Sequence, residues 1–192
     1  MSFFDETKNA GLVLLIIALL GVVLAIVAVF ALDGYKDLEM WKKIMIIVGA
    51  VLGSAVYVIL GLDIMKGSAT LQIGNLFSDL TSKFGVLVAL TAGFGISEVL
   101  NSIFAVIAGF DVASQIGSIV IGVLFIVMAW LLVDGGEDAR KIMWIILLVL
   151  YILMLIFSIL ACLVLIGIPM LLLSIFLVTY ILSPEVKGKC GM

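Results

Sequence analysis

From Ile142 to Leu182 the chain runs 41 residues without a charged side chain. As one helix that run would be about 60 Å long, twice the ~30 Å hydrocarbon core of a bilayer. Gly167-Ile168-Pro169 is its one strong breaker. Proline lacks a backbone donor and clashes with the preceding turn, so it fits best in the first turn of a new helix. The run therefore reads as two helices, over 142–165 and 169–182. A single kinked helix would leave a wholly apolar half protruding from the membrane.

Four further apolar blocks precede it: Ala10–Leu32, Ile44–Leu62, Phe84–Phe110 and Ile116–Val133. Each is close to the ~20 residues that cross a bilayer as a helix. None alternates with period two, so barrel strands are excluded. Across the 192 residues 66% are apolar and only 12% charged, and the mean hydropathy is +1.47. A soluble domain of this size cannot bury that much apolar surface. The expectation is an all-α integral membrane protein: one transmembrane domain over 1–192, a bundle of about six helices. Its partners would begin with the lipid bilayer.

Basic residues set the expected orientation. With six spans, Lys8, Lys66, Lys83, Arg140, Lys141, Lys187 and Lys189 share one side, against Lys36, Lys42 and Lys43 on the other. The positive-inside rule then puts both termini in the cytoplasm of a cell-membrane protein. Five spans would make the count even. Trp41, Trp130, Trp144, Tyr35 and Tyr180 lie near span ends, where amphipathic rings settle at the interface. The first block is too long for a signal-peptide core, and Asp5 and Glu6 precede it.

The connection before the third block carries Ile73, Leu76, Phe77, Leu80 and Phe84 at helical spacing. This pattern predicts an amphipathic interfacial helix over about 73–83. An order of span, Asp-Gly turn, basic pair, Ile-Met and span occurs twice, at Asp33-Gly34 with Lys42-Lys43 and at Asp134-Gly135 with Arg140-Lys141. That order suggests a weak inverted 3+3 repeat of the kind found in secondary transporters.

Glu98 is the only ionisable residue well inside an apolar block. A carboxylate at bilayer depth costs on the order of 3 kcal/mol and is a functional candidate by default. Thr91, Gly95, Glu98 and Ser102 fall on one helical stripe, with Asn101 beside them. The weak stretch Gly93-Phe94-Gly95-Ile96-Ser97 predicts a broken but membrane-crossing segment, Ser97 capping a second helix. A re-entrant hairpin over 84–110 is the alternative, and would leave five spans.

Small residues mark expected helix contacts: Gly49, Gly53 and Gly61 on the second span, Gly85, Ala89 and Gly93 on the third, Ser118 and Gly122 on the fourth. The chain has no histidine, and its two cysteines, Cys162 and Cys190, lie far apart. No metal site, cofactor or catalytic residue is therefore expected, and the scattered basic residues predict no nucleic-acid binding. The leading expectation is a non-enzymatic accessory or scaffold subunit, working through contacts with a second copy or another membrane protein. The alternative is a small transporter or channel using the polar stripe around Glu98. A wet cavity reaching Glu98 would favour transport, and a dry bundle with an exposed glycine face would favour assembly.

Overall fold

The computed structural model describes residues 3–70, 73–161 and 167–192. Among these the chain is all-helical, without strands. After a short 3-10 turn at Phe3–Asp5 come α1 (Thr7–Ala31), α2 (Asp33–Lys36), α3 (Met40–Lys66) and α4 (Lys83–Ile107). They are followed by α5 (Val112–Asp134), α6 (Glu137–Ala161), α7 (Gly167–Ile181) and α8 (Pro184–Lys189). Five of them, α1, α3, α4, α5 and α6, are long and apolar enough to cross a membrane. The protein is a multi-pass helical bundle of the membrane.

α7 is shorter, at 15 residues. It runs antiparallel to α6: Ser158 meets Ser174 at one end, with their hydroxyls 3.2 Å apart, and the Trp144 indole donates to the Ile181 carbonyl at the other, at 2.8 Å. Pro169 lies in the first turn of α7. The connection expected around 165 falls within 162–166, outside the described residues, as does Cys162.

α4 is the central helix. In its most apolar stretch 61% of residues are buried inside the protein, against 22–28% for the other four long helices. Those four turn large apolar faces outward, such as Ile116, Val120 and Leu124 on α5 and Ile145, Val149 and Ile156 on α6. In a bilayer these faces meet lipid.

The third block is one uninterrupted helix, neither broken nor re-entrant. Its glycines are not breakers. Gly95 lies against the Gly122 carbonyl on α5, and Gly93 receives the Leu60 side chain from α3. Close packing on both sides compensates for the poor intrinsic propensity of this stretch. Ser97 is buried mid-helix and caps nothing.

The segment expected as an interfacial helix over 73–83 is instead a run of turns and bends ending at Ser82. Asp79 accepts hydrogen bonds from Ser82 Oγ at 2.5 Å, Ser82 N at 3.3 Å and Thr81 Oγ1 at 3.0 Å. Such local bonds offer the backbone an alternative to the helical ladder. Leu76, Phe77 and Leu80 point into the protein core rather than into lipid.

The aromatic belt is likewise only partial. Trp41 and Trp130 are exposed, whereas Trp144 and Tyr180 are buried against neighbouring helices. The helix pairing is duplicated only in part: α3 packs on α4 as α6 packs on α7, but the first pair of each unit differs. α1 packs along α3, but α5, its counterpart in the suggested repeat, packs mainly on α4 and only lightly on α6.

Both termini lie at one end of the bundle. The Tyr180 hydroxyl donates to the Glu6 carbonyl, Lys83 pairs with Asp5 at 3.1 Å and Lys189 with Asp79 at 3.5 Å. The Asn75 amide reaches Asp134 at 2.9 Å. At the opposite end the α1–α3 and α4–α5 connections meet, with the Tyr35 and Phe110 ring centroids 5.9 Å apart.

Candidate functional site

Four helices leave a polar cavity of about 480 Å³ between them. α4 supplies Ser97, Glu98, Asn101 and Ser102, and α3 supplies Ser54 and Tyr57. α5 adds Gln115 and Ser118, and α1 contributes only Ile17 and Gly21. Tyr35 and Phe110 also line the cavity, at the end opposite the termini.

Helix packing positions this lining. α3 approaches α4 through glycine: a Cβ at Gly49 would come 2.7 Å from Phe104 Cβ, and one at Gly53 would come 2.8 Å from Ser97 Oγ and 2.9 Å from the Asn101 amide. α4 approaches α5 at Gly122, where a Cβ would come 2.7 Å from the Gly95 carbonyl oxygen and 3.2 Å from Glu98 Cβ. Glu98 therefore leaves α4 next to a helix with no side chain at the crossing, and its carboxylate is free to extend into the cavity.

The cavity runs deep. From Ser97 to the end of α4 at Ile107 is ten residues, about 15 Å of helix. That is half the hydrocarbon thickness, so its floor lies near the middle of the bundle. Beyond the floor Leu14, Leu60, Ile64 and Leu87 are fully buried and close the path toward the termini. The polar walls thus reach from the Tyr35/Phe110 end to about the middle of α4, and the buried aliphatic side chains lie between them and the termini.

Inside, Asn101 Nδ2 donates to Ser97 Oγ at 3.4 Å, and Tyr57 lines the same cavity as Ser97 and Glu98. The half-buried Glu98 carboxylate has no hydrogen bond or ion pair to another described side chain. No lysine or arginine lines the cavity. Lys42 lies beside Gly109 near the mouth, where its ammonium sits over the Trp41 ring at 5.6 Å. Among the described residues no group of three or more His, Cys, Asp or Glu is arranged to hold a metal ion.

The expected polar stripe divides. Glu98, Asn101 and Ser102 line the cavity. Thr91 does not: its hydroxyl donates to the Leu87 carbonyl at 2.6 Å and lies 2.5 Å from the Tyr151 hydroxyl of α6, in a fully buried seam.

The small residues divide too. Gly49, Gly53, Gly93 and Gly122 sit at contacts within α3, α4 and α5. Gly61 instead meets α1, where a Cβ would come 2.8 Å from the Gly11 carbonyl. Gly85 abuts the Asp79 backbone of the 67–82 connection, Ala89 is fully buried, and Ser118 faces the cavity.

Tyr57, Ser54 and Gln115 are lining residues that sequence reasoning passed over, and Tyr35, expected only as an interfacial ring, lines the cavity as well. Their signal was present: each is a polar-tipped side chain inside or beside an apolar span, where such groups tend to face protein or water rather than lipid. A second groove, about 430 Å³ between α1 and α3, is lined almost wholly by aliphatic side chains and lacks comparable polar chemistry.

The fold and site define a multi-pass helical membrane protein with a polar cavity whose lining holds a single carboxylate, Glu98. No family model, no curated protein and no solved structure matches the chain.

Proposed function

We propose that this protein is a small-solute transporter whose binding group is Glu98, held in a cavity open at the end opposite the termini. The carrying observation is the polar cavity of about 480 Å³ that brings Glu98 together with Ser54, Tyr57, Asn101 and Gln115. A site near the midplane, reached from one side, is the arrangement alternating access requires. The scaffold reading looked to helix–helix contacts in the bilayer and would be favoured by an exposed glycine face. Gly49, Gly53, Gly61, Gly93 and Gly122 each abut a helix of the same chain, which supports the transport reading over one in which these glycines receive a partner.

In this reading the protein is non-enzymatic and lies in a cell membrane. Both termini face the cytoplasm, because the end that gathers them also carries seven of the ten basic residues. The cavity then faces outward and α7, α8 and the 67–82 connection form the closed inner end. The test is uptake of radiolabelled ethanolammonium, glycerol and lactate by proteoliposomes. Saturable, protein-dependent uptake of at least one of them is expected, lost in Glu98→Gln at an unchanged melting temperature. Uptake no faster than in empty liposomes for all three would end the proposal.

A further inference from the structure

Building on the transport reading, we infer that the cavity selects a compact organic cation carrying one ammonium group. Charge gives the sign. The lining holds one carboxylate, Glu98, and no lysine or arginine, so an anion would bring a second negative charge beside the first with no cation of the lining to offset it. One carboxylate without an ion pair matches one positive charge on the ligand.

Coordination chemistry argues against a bare metal ion. Calcium takes about six to eight oxygens and magnesium a tight octahedron, usually with more than one carboxylate or with phosphate. Here the other polar groups are hydroxyls and amides spread across α2, α3, α4 and α5. At about 480 Å³ the cavity has the size of an organic-ligand site.

The aromatic rings complete the match. Tyr57 lies at the depth of Glu98, and Tyr35 and Phe110 contact one another at the mouth. Ring faces attract ammonium groups within about 6 Å of the centroid. An ammonium headgroup can lie between the Glu98 carboxylate and the Tyr57 ring, its N–H groups donating to Asn101 and a serine hydroxyl. The ligand's apolar part then extends toward Tyr35 and Phe110.

The experiment measures binding of phenethylammonium, phenylethanol and phenylacetate to the full chain in lipid nanodiscs by calorimetry. These probes share a ring and chain and differ in charge. Phenethylammonium is expected to bind at least tenfold more tightly than either other probe. Glu98→Gln should weaken it at least tenfold and Tyr57→Leu severalfold. A second measurement uses the wild type alone: phenethylammonium should protect Glu98 from a hydrophobic carbodiimide, and phenylethanol should not.

Equal binding of the three probes, or no selective protection of Glu98, overturns the inference. The outcomes separate the two proposals. Saturable uptake of glycerol or lactate without cation-selective binding refutes the substrate class and leaves transport standing. Cation-selective binding without uptake refutes transport and leaves the binding site standing.

Discussion

At the scale of single residues, α4 uses its polar side chains for two different jobs. Thr91 and Tyr151 satisfy each other between α4 and α6, with both side chains about 1% exposed. Thr91→Val removes one partner and strands the Tyr151 hydroxyl in a dry seam. The expected cost is about 1–3 kcal/mol, the usual penalty for an unsatisfied buried group. Thr91→Val/Tyr151→Phe, which removes both hydroxyls, should recover part of that loss. Melting curves of the two single variants and the double variant check this as a double-mutant cycle. Helical spacing alone placed Thr91 with Glu98, because it registers angle about the axis but not which neighbour lies at each height. Glu98 itself was legible from sequence, since a carboxylate deep in an apolar block has few structural explanations. Ser54 and Tyr57 were harder to see, because their relevance depends on α3 being brought against α4 by Gly49 and Gly53.

At the scale of elements, the long helices were readable because hydropathy reports them directly, whereas the 67–82 connection was not. Leu76, Phe77 and Leu80 have a helix's spacing, yet Asp79, Thr81 and Ser82 close a local hydrogen-bond set that takes the backbone elsewhere. This set also launches α4. Ser82 Oγ caps the Gly85 N–H at 3.0 Å, and the Glu185 carboxylate, 101 residues away from Phe84, accepts from the Lys83 and Phe84 N–H groups at 3.4 and 3.3 Å. A negative charge at a helix N-terminus is favourable there. Burial pushes the Asp79 carboxyl up, but bonds from Ser82 and Thr81 and the charge of Lys189 outweigh it and hold it below the ordinary carboxylate range. A depressed folded-state value means that its stabilisation is fully present above the unfolded value, about 4, and is lost as pH falls through the folded one. The melting-temperature gap between wild type and Asp79→Asn should therefore be constant at neutral pH and narrow below about pH 4. A gap that widens on acidification would contradict this assignment.

At the scale of the whole molecule, the two ends of the bundle are built differently. One end is tied by Lys83–Asp5, Lys189–Asp79, Tyr180–Glu6 and Asn75–Asp134, and the other holds Tyr35 and Phe110, which line the cavity. In a Cys162→Ala/Cys190→Ala background, Gln115→Cys should react with a membrane-impermeant maleimide added outside intact cells, and Lys8→Cys should react only after the membrane is opened. Reaction of both from one side would refute the orientation. The tied end also contains its own timekeeper. Cys190 closes the C-terminal turn with no exposed surface, and burial pushes its thiol up against the opposing pull of Arg140. A thiol reagent can reach it only while the tail is lifted, so in Cys162→Ala the labelling rate counts departures of α8 from its seat. Glu185→Gln should quicken that count by loosening the seat without touching the cavity. If the protein carries a solute, that solute should shift the same labelling rate in proteoliposomes, and one sulfur atom at the tied end would register what occupies the cavity at the other.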